Sequence, residues 1–77
     1  MEKKKRDQLK LWALQSGYSN ISALAAASGI SRNALYAAIN YRPGDHKRLG
    51  KPGLDRLADL LDVTPATMLD WYEGRLD

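Results

Sequence analysis

The sequence predicts an all-α fold, a compact bundle of five helices within one domain. Three observations carry this. Strand formers are scarce: valine occurs once, phenylalanine never, and no segment alternates apolar and polar residues at period two. Five segments space apolar residues three and four apart, the pattern of a helix with one buried face. Between them fall glycines, prolines and small polar residues, the signals that start and stop helices.

Helix one is expected from about Lys4 to Gln15. Leu9, Trp12 and Ala13 fall at i, i+3 and i+4, Leu11 widens the apolar stripe, and Gly17 ends the helix in a left-handed conformation. Helix two follows "YSN", with Asn20 or Ser19 accepting a bond from a free backbone N–H. Its inner face is Ile21, Leu24, Ala25 and Ser28, and Gly29 ends it. Helix three is capped by Ser31 and runs to about Asn40. Leu35, Ala38 and Ile39 face inward; Arg32, Asn33, Tyr36, Ala37 and Asn40 face outward.

Residues 41–52 form a basic loop containing Pro43-Gly44, Gly50 and Pro52. Helix four covers about Pro52 to Leu61, with Leu54, Leu57, Ala58 and Leu61 inward; Pro52 suits either the loop or the first turn. Helix five opens at Thr64 as cap and Pro65 as first helical residue, with Val63 stapled against Met68, and continues to Gly74.

The 77 residues make a single domain, 1–77. A domain of this size buries only about 60% of its unfolded surface. With no cysteine there is no disulfide or thiolate metal site, and the lone histidine, His46, is read as a loop residue rather than a metal ligand or pH switch. No metal or other cofactor is expected. The apolar runs fall well short of the roughly 18 residues that span a membrane, and Asp7, Gln8 and Lys10 interrupt any signal-peptide core. No membrane association is expected, and the location is read as cytoplasmic, on the nucleoid.

Charge is divided along the chain. Residues 1–48 hold nine basic and three acidic residues, net +6; residues 49–77 hold three basic and six acidic, net −3. Such a split suits a protein with one face toward a polyanion. Its plain alternative is a chance clustering of solvated charges.

The centre of the chain reads as a helix-turn-helix, two helices crossing steeply through a short turn. Gly29 supplies the positive φ of that turn. Four residues earlier Ala25 is small enough for the helices to touch, and Ile30 and Leu35 provide apolar residues one and six positions later.

The stretch "LAAASGISRNAL", Leu24 to Leu35, resembles the repressor/Cro family of bacterial and phage regulators, the XRE-type helix-turn-helix. "LDRLADLLDVTPATML", Leu54 to Leu69, is similar to the family's fourth and fifth helices. "ISALA…SGISRNALYAAI" also resembles addiction-module antitoxins of the same class. The chain departs from the family at three places: Ile21 stands where a phosphate-touching Gln usually begins helix two, Ala38 replaces a larger apolar residue, and the loop before helix four is long. The resemblance implies a bundle of the lambda-repressor-like type and a sequence-specific, double-stranded DNA-binding transcriptional regulator that acts as a dimeric repressor on an inverted-repeat operator.

It further implies that helix three lies in the major groove, with Ser31, Arg32, Asn33, Tyr36, Ala37 and Asn40 at the bases. Their chemistry fits. Arg32 carries the fork that matches guanine O6 and N7. Asn33 and Asn40 suit adenine or phosphates, Tyr36 a thymine methyl or a phosphate, and Ala37 permits close approach. The plain alternative for Arg32 and Asn33 is an ordinary polar first turn. Expected phosphate contacts are Asn20 and Ser22 at the start of helix two, Arg42, Lys47 and Arg48 in the loop, and Lys3, Lys4 and Lys5 in a basic arm over residues 1–6. That run also reads as a merely solvated terminus.

Leu69, Trp71, Tyr72 and Leu76 follow as candidates for a homodimer interface, since one small core is stretched to cover such large rings. Alternatively Trp71 packs against helix one. An enzyme is not expected: there is no cysteine nucleophile, no P-loop and a single histidine. Neither is an RNA-binding sheet, nor a small-molecule ligand. The rivals to a repressor are an antitoxin, which adds a toxin as partner, and a helical adaptor that binds no DNA.

Overall fold

The computed structural model describes residues 2–46 and 49–76, and the side chains from Lys4 onward within that span. Five helices appear in the expected order: α1 (Glu2–Gln15), α2 (Ile21–Ser28), α3 (Arg32–Asn40), α4 (Lys51–Leu61) and α5 (Pro65–Tyr72). There is no strand among the described residues.

Local chemistry sets the boundaries. Beyond α1, Gly17 takes φ +92° and the Tyr18 N–H returns to the Ala13 carbonyl at 2.8 Å, satisfying a carbonyl that the helix end would leave unpaired. Asn20, Ser31 and Thr64 each cap a helix by accepting a side-chain bond from the backbone N–H three residues on. Asp62 ends α4 at φ 57°, a left-handed conformation that aspartate tolerates better than most side chains, and the Val63 N–H closes on the Ala58 carbonyl. Helix α5 stops at Tyr72, two residues short of Gly74, where the Arg75 N–H bonds the Asp70 carbonyl.

The core draws on every helix. Leu9 and Ala13 of α1, Leu24 of α2, Leu35 and Ala38 of α3, Leu57 and Ala58 of α4, and Met68 and Trp71 of α5 are buried together. Ile39 lies among them, and its side chain fills core volume beside the small Ala38. Among the described residues Ser28 is the buried polar residue of the core; its hydroxyl donates to the Ala25 carbonyl and accepts from the Ile30 N–H, so burial leaves it satisfied.

The structure corrects two readings of α1. The basic run is not an arm: α1 begins at Glu2, so Lys3 to Arg6 form its first turns. Leu11 does not widen the buried stripe, being 49% exposed. The inner face runs instead through Lys5, Leu9, Trp12 and Ala13, which places a lysine at the i−4 position of the apolar face.

The structure also corrects the placement of two aromatic residues. Trp71 and Tyr72 are each 1% exposed, so neither presents a surface to a second copy. The Trp71 indole N–H donates to the Lys5 carbonyl at 2.9 Å, joining α5 to α1. Tyr72 stacks on Tyr41 with ring centroids 4.2 Å apart. One small core does cover these rings, because the start of α1 and the end of α3 close over them.

Candidate nucleic-acid interface

The turn between α2 and α3 positions the outward face. Gly29 ends α2 at φ +71° while its N–H bonds the Ala25 carbonyl at 3.0 Å. A Cβ at Gly29 would also lie 3.2 Å from Arg56 Nη1. That guanidinium belongs to α4 and donates to the Ser28 carbonyl at 3.1 Å, placing a cation at the negative end of α2. The chain re-enters a helix at Ser31, whose Oγ accepts from the Ala34 N–H at 3.1 Å.

On α3 the residues separate as the 3.6-residue period requires. Leu35, Ala38 and Ile39 are buried, Ala37 is half-buried, and Arg32, Asn33, Tyr36 and Asn40 are exposed. Tyr36 keeps 42% of its surface open, so its ring belongs to the outer face rather than the core. From Arg32 to Asn40 the helix rises about 12 Å, comparable with the width of a B-DNA major groove. Arg32 supplies a planar fork of donors, the asparagines pair a donor with an acceptor, and the tyrosine joins a ring to a hydroxyl.

The structure brings the start of α2 to the start of α3. Arg32 Nη1 donates to Ser22 Oγ at 3.3 Å, so an expected base contact and an expected phosphate contact share one hydrogen bond. Asn20 Oδ1 accepts from the Ala23 N–H at 2.8 Å; its amide donors are the atoms suited to a phosphate.

At the other end of α3 the chain turns through Arg42, Pro43, Gly44 and Asp45. The Arg42 N–H donates to Asp45 Oδ2 at 3.2 Å, and the Asp45 N–H returns to the Arg42 carbonyl at 2.9 Å. Lys4, Asn40 and Arg42 line one cleft of about 470 Å³ there, so these expected DNA contacts are neighbours. Lys47 and Arg48 lie outside the described residues, and so does the side chain of Lys3.

Lys5 lines the same cleft as Lys4 but differs from it in how its ammonium is held. Its ammonium is turned inward, donating to the Ala38 carbonyl at 2.7 Å, the Tyr41 carbonyl at 3.1 Å and the Tyr72 carbonyl at 2.7 Å. This corrects its reading as an arm residue: the spacing to Leu9 and Trp12 turns it toward the core, where three carbonyls receive the charge. That spacing was the signal available in the sequence. Arg56 carried no such signal, because its partner is 28 residues away and depends on how α4 crosses α2.

Of the expected dimer residues, Leu69 remains 39% exposed and Leu76 half-buried; Trp71 and Tyr72 belong to the core. Among the described residues there is no cluster of potential metal ligands, and no helix is long and apolar enough to cross a membrane.

Comparison with known proteins bears on the geometry just described. The family model for the Cro/C1-type HTH DNA-binding domain matches residues 9–74, a span that contains α2, α3, α4 and α5 in full. No curated protein and no solved structure matches the chain significantly.

Proposed function

The chain belongs to the Cro/C1-type helix-turn-helix DNA-binding domain family, and from that premise we propose that it is a sequence-specific repressor that reads an inverted repeat as a dimer. Binding of double-stranded DNA and regulation of transcription follow from the family. The observation that carries the finer reading is the exposed face of α3, where Arg32, Asn33, Tyr36 and Asn40 stand clear of the core on a capped helix. With α3 in the major groove, Ser31, Arg32 and Asn33 meet base edges first, Tyr36 and Asn40 extend the reading, and Ala37 keeps the backbone close.

Phosphate contacts supply most of the affinity on this reading. Asn20 and Ser22 hold the backbone at one end of α3. Lys4 and Arg42 hold it at the other, joined by Lys3, Lys47 and Arg48 from the same basic half of the sequence. Dimerisation uses Leu69 and Leu76 near the end of α5, the apolar residues of that region that keep accessible surface. Two copies related by a two-fold axis would present two α3 helices to half-sites about one helical turn apart. Occupancy of promoter DNA then blocks transcription. A toxin encoded beside the protein would leave this DNA mechanism unchanged and add one partner.

Selection from randomised duplexes tests this reading. The expected outcome is an enriched inverted repeat, bound with a steep fall in affinity as salt rises, about −0.9 in log–log slope per phosphate neutralised. Recovery of no common sequence would overturn it.

A further inference from the structure

We propose that Lys5 is a positioning residue for DNA recognition, an internal clamp that sets the C-terminal end of α3, and that its charge takes no part in phosphate binding. The inference rests on the reading of α3 as the helix that reads bases.

Two helix ends converge on one point. The Ala38 carbonyl, which also accepts from the Tyr41 N–H at 3.3 Å, and the Tyr41 carbonyl close α3, and the Tyr72 carbonyl closes α5. Carbonyls at helix C-termini lack intrahelical donors and carry the negative end of the helix dipole. Neither α3 nor α5 has a basic residue in its last turn to answer that charge. The cation comes from α1 instead: the Lys5 ammonium has three protons, and carbonyls from both helix ends lie at 2.7–3.1 Å from its nitrogen.

Aromatic rings surround the same ammonium. Its nitrogen lies 5.0 Å from the Trp71 ring centroid, 5.6 Å from that of Tyr72 and 5.9 Å from that of Tyr41. The stacked Tyr41–Tyr72 pair bridges the two helix ends beside it. The indole N–H bonds the Lys5 carbonyl, so backbone and side chain of this one residue are both fixed by the end of α5.

The consequence for DNA is geometric. Asn40 lies between Ala38 and Tyr41 in the chain, and Arg42 follows Tyr41 directly. Holding those carbonyls fixes the rotation of the last turn of α3 and the exit of the chain toward the basic loop. Loss of the ammonium leaves the carbonyls of two helix ends facing one another in a half-buried site. The last turn then loosens, and Asn40 loses its register with the bases while exposed phosphate contacts persist.

Lys5→Met keeps the aliphatic stem and removes the charge; Lys5→Arg keeps the charge and replaces three convergent donors with a planar fork. Each is compared with the unaltered protein on a duplex that the latter selects from a random library and on a mixed-sequence duplex. Measurements are made where circular dichroism shows the variant folded. For Lys5→Met the ratio of the two affinities is expected to fall by about tenfold, the scale of one lost base contact. The salt slope on the mixed-sequence duplex stays unchanged, and Lys5→Arg fails to restore the ratio.

A slope that drops by about one, with equal loss on both duplexes and full rescue by arginine, would make Lys5 a phosphate ligand and overturn the proposal. An unchanged ratio beside a lowered melting temperature would reduce Lys5 to a stability residue and also overturn it. If the unaltered protein selects no sequence, the base-reading assignment fails first, and the clamp's role in recognition falls with it. Should neither variant fold, nitrogen-detected NMR of the unaltered protein decides the matter. Slowly exchanging Lys5 ammonium protons that keep their shift when DNA is added support the clamp; fast exchange, or a shift on binding DNA, overturns it.

Discussion

Arg32 Nη1 lies 3.3 Å from Ser22 Oγ, a hydrogen bond that links the first turn of α3 to the first turn of α2. A cation in the first turn of a helix is disfavoured by the macrodipole, and this bond helps hold the guanidinium in place despite it. An arginine fixed beside the duplex before binding loses less side-chain freedom on recognition. Ser22→Ala is therefore expected to weaken specific binding, and a double-mutant cycle with Arg32→Ala should give a coupling of about 0.5–1.5 kcal/mol, the net worth of one hydrogen bond. Additive losses would mean that the bond plays no part in recognition.

Ser31 serves the fold as a cap, and on the proposed reading its hydroxyl proton is left to donate to the DNA. Its Oγ caps α3 by accepting from the Ala34 N–H. Ser31→Ala should cost about 1 kcal/mol in urea denaturation. Ser31→Asp retains a capping oxygen and should keep stability near that of the unaltered protein, but it sets a negative charge against the duplex and should weaken binding to every sequence. Unchanged stability of Ser31→Ala would show that the cap contributes nothing.

Gly29 combines a left-handed backbone with a close neighbour, φ +71° and 3.2 Å from a Cβ position to Arg56 Nη1. Gly29→Ala is expected to lower stability by about 1–2 kcal/mol from the backbone alone. Arg56 can swing aside, at the expense of its bond to the Ser28 carbonyl. Hydrogen exchange should show the end of α2 opening first. Unchanged protection there would place the strain elsewhere.

Trp71 and Leu69 lie two residues apart and should respond oppositely. Trp71 is buried and bonded to the Lys5 carbonyl, so Trp71→Ala should cost about 3–5 kcal/mol and leave little folded protein. Leu69→Glu alters an exposed position and should change stability by no more than about 0.5 kcal/mol. If α5 pairs two copies on DNA, sedimentation should show Leu69→Glu as a monomer that binds a single half-site. Unaltered dimerisation would move the interface away from Leu69.

What the sequence made legible was local. Asn20, Ser31, Thr64 and Gly29 announce helix ends through interactions within four residues, and all four act as expected. The outward face of α3 was readable because a 3.6-residue period assigns each position to one side. Long-range placements were harder. Trp71 looked like surplus apolar area until the first turns of α1 covered it. Lys5 looked like one of several equivalent lysines because charge runs are usually solvated, yet its place four residues before Leu9 set it facing inward. Leu11 and Leu9 are equally apolar, and the way α1 packs, rather than residue type, decides that Leu9 is buried and Leu11 exposed.

The central assignment, that α3 reads bases through its first turn, is tested most directly by Arg32→Ala on the selected duplex and on variants with each base pair changed in turn. The expected result is a loss of about 1–3 kcal/mol on the selected duplex, with discrimination relaxed at one base pair of each half-site and kept at the others. An equal loss on every duplex, with all discrimination intact, would contradict the assignment and make Arg32 a phosphate contact.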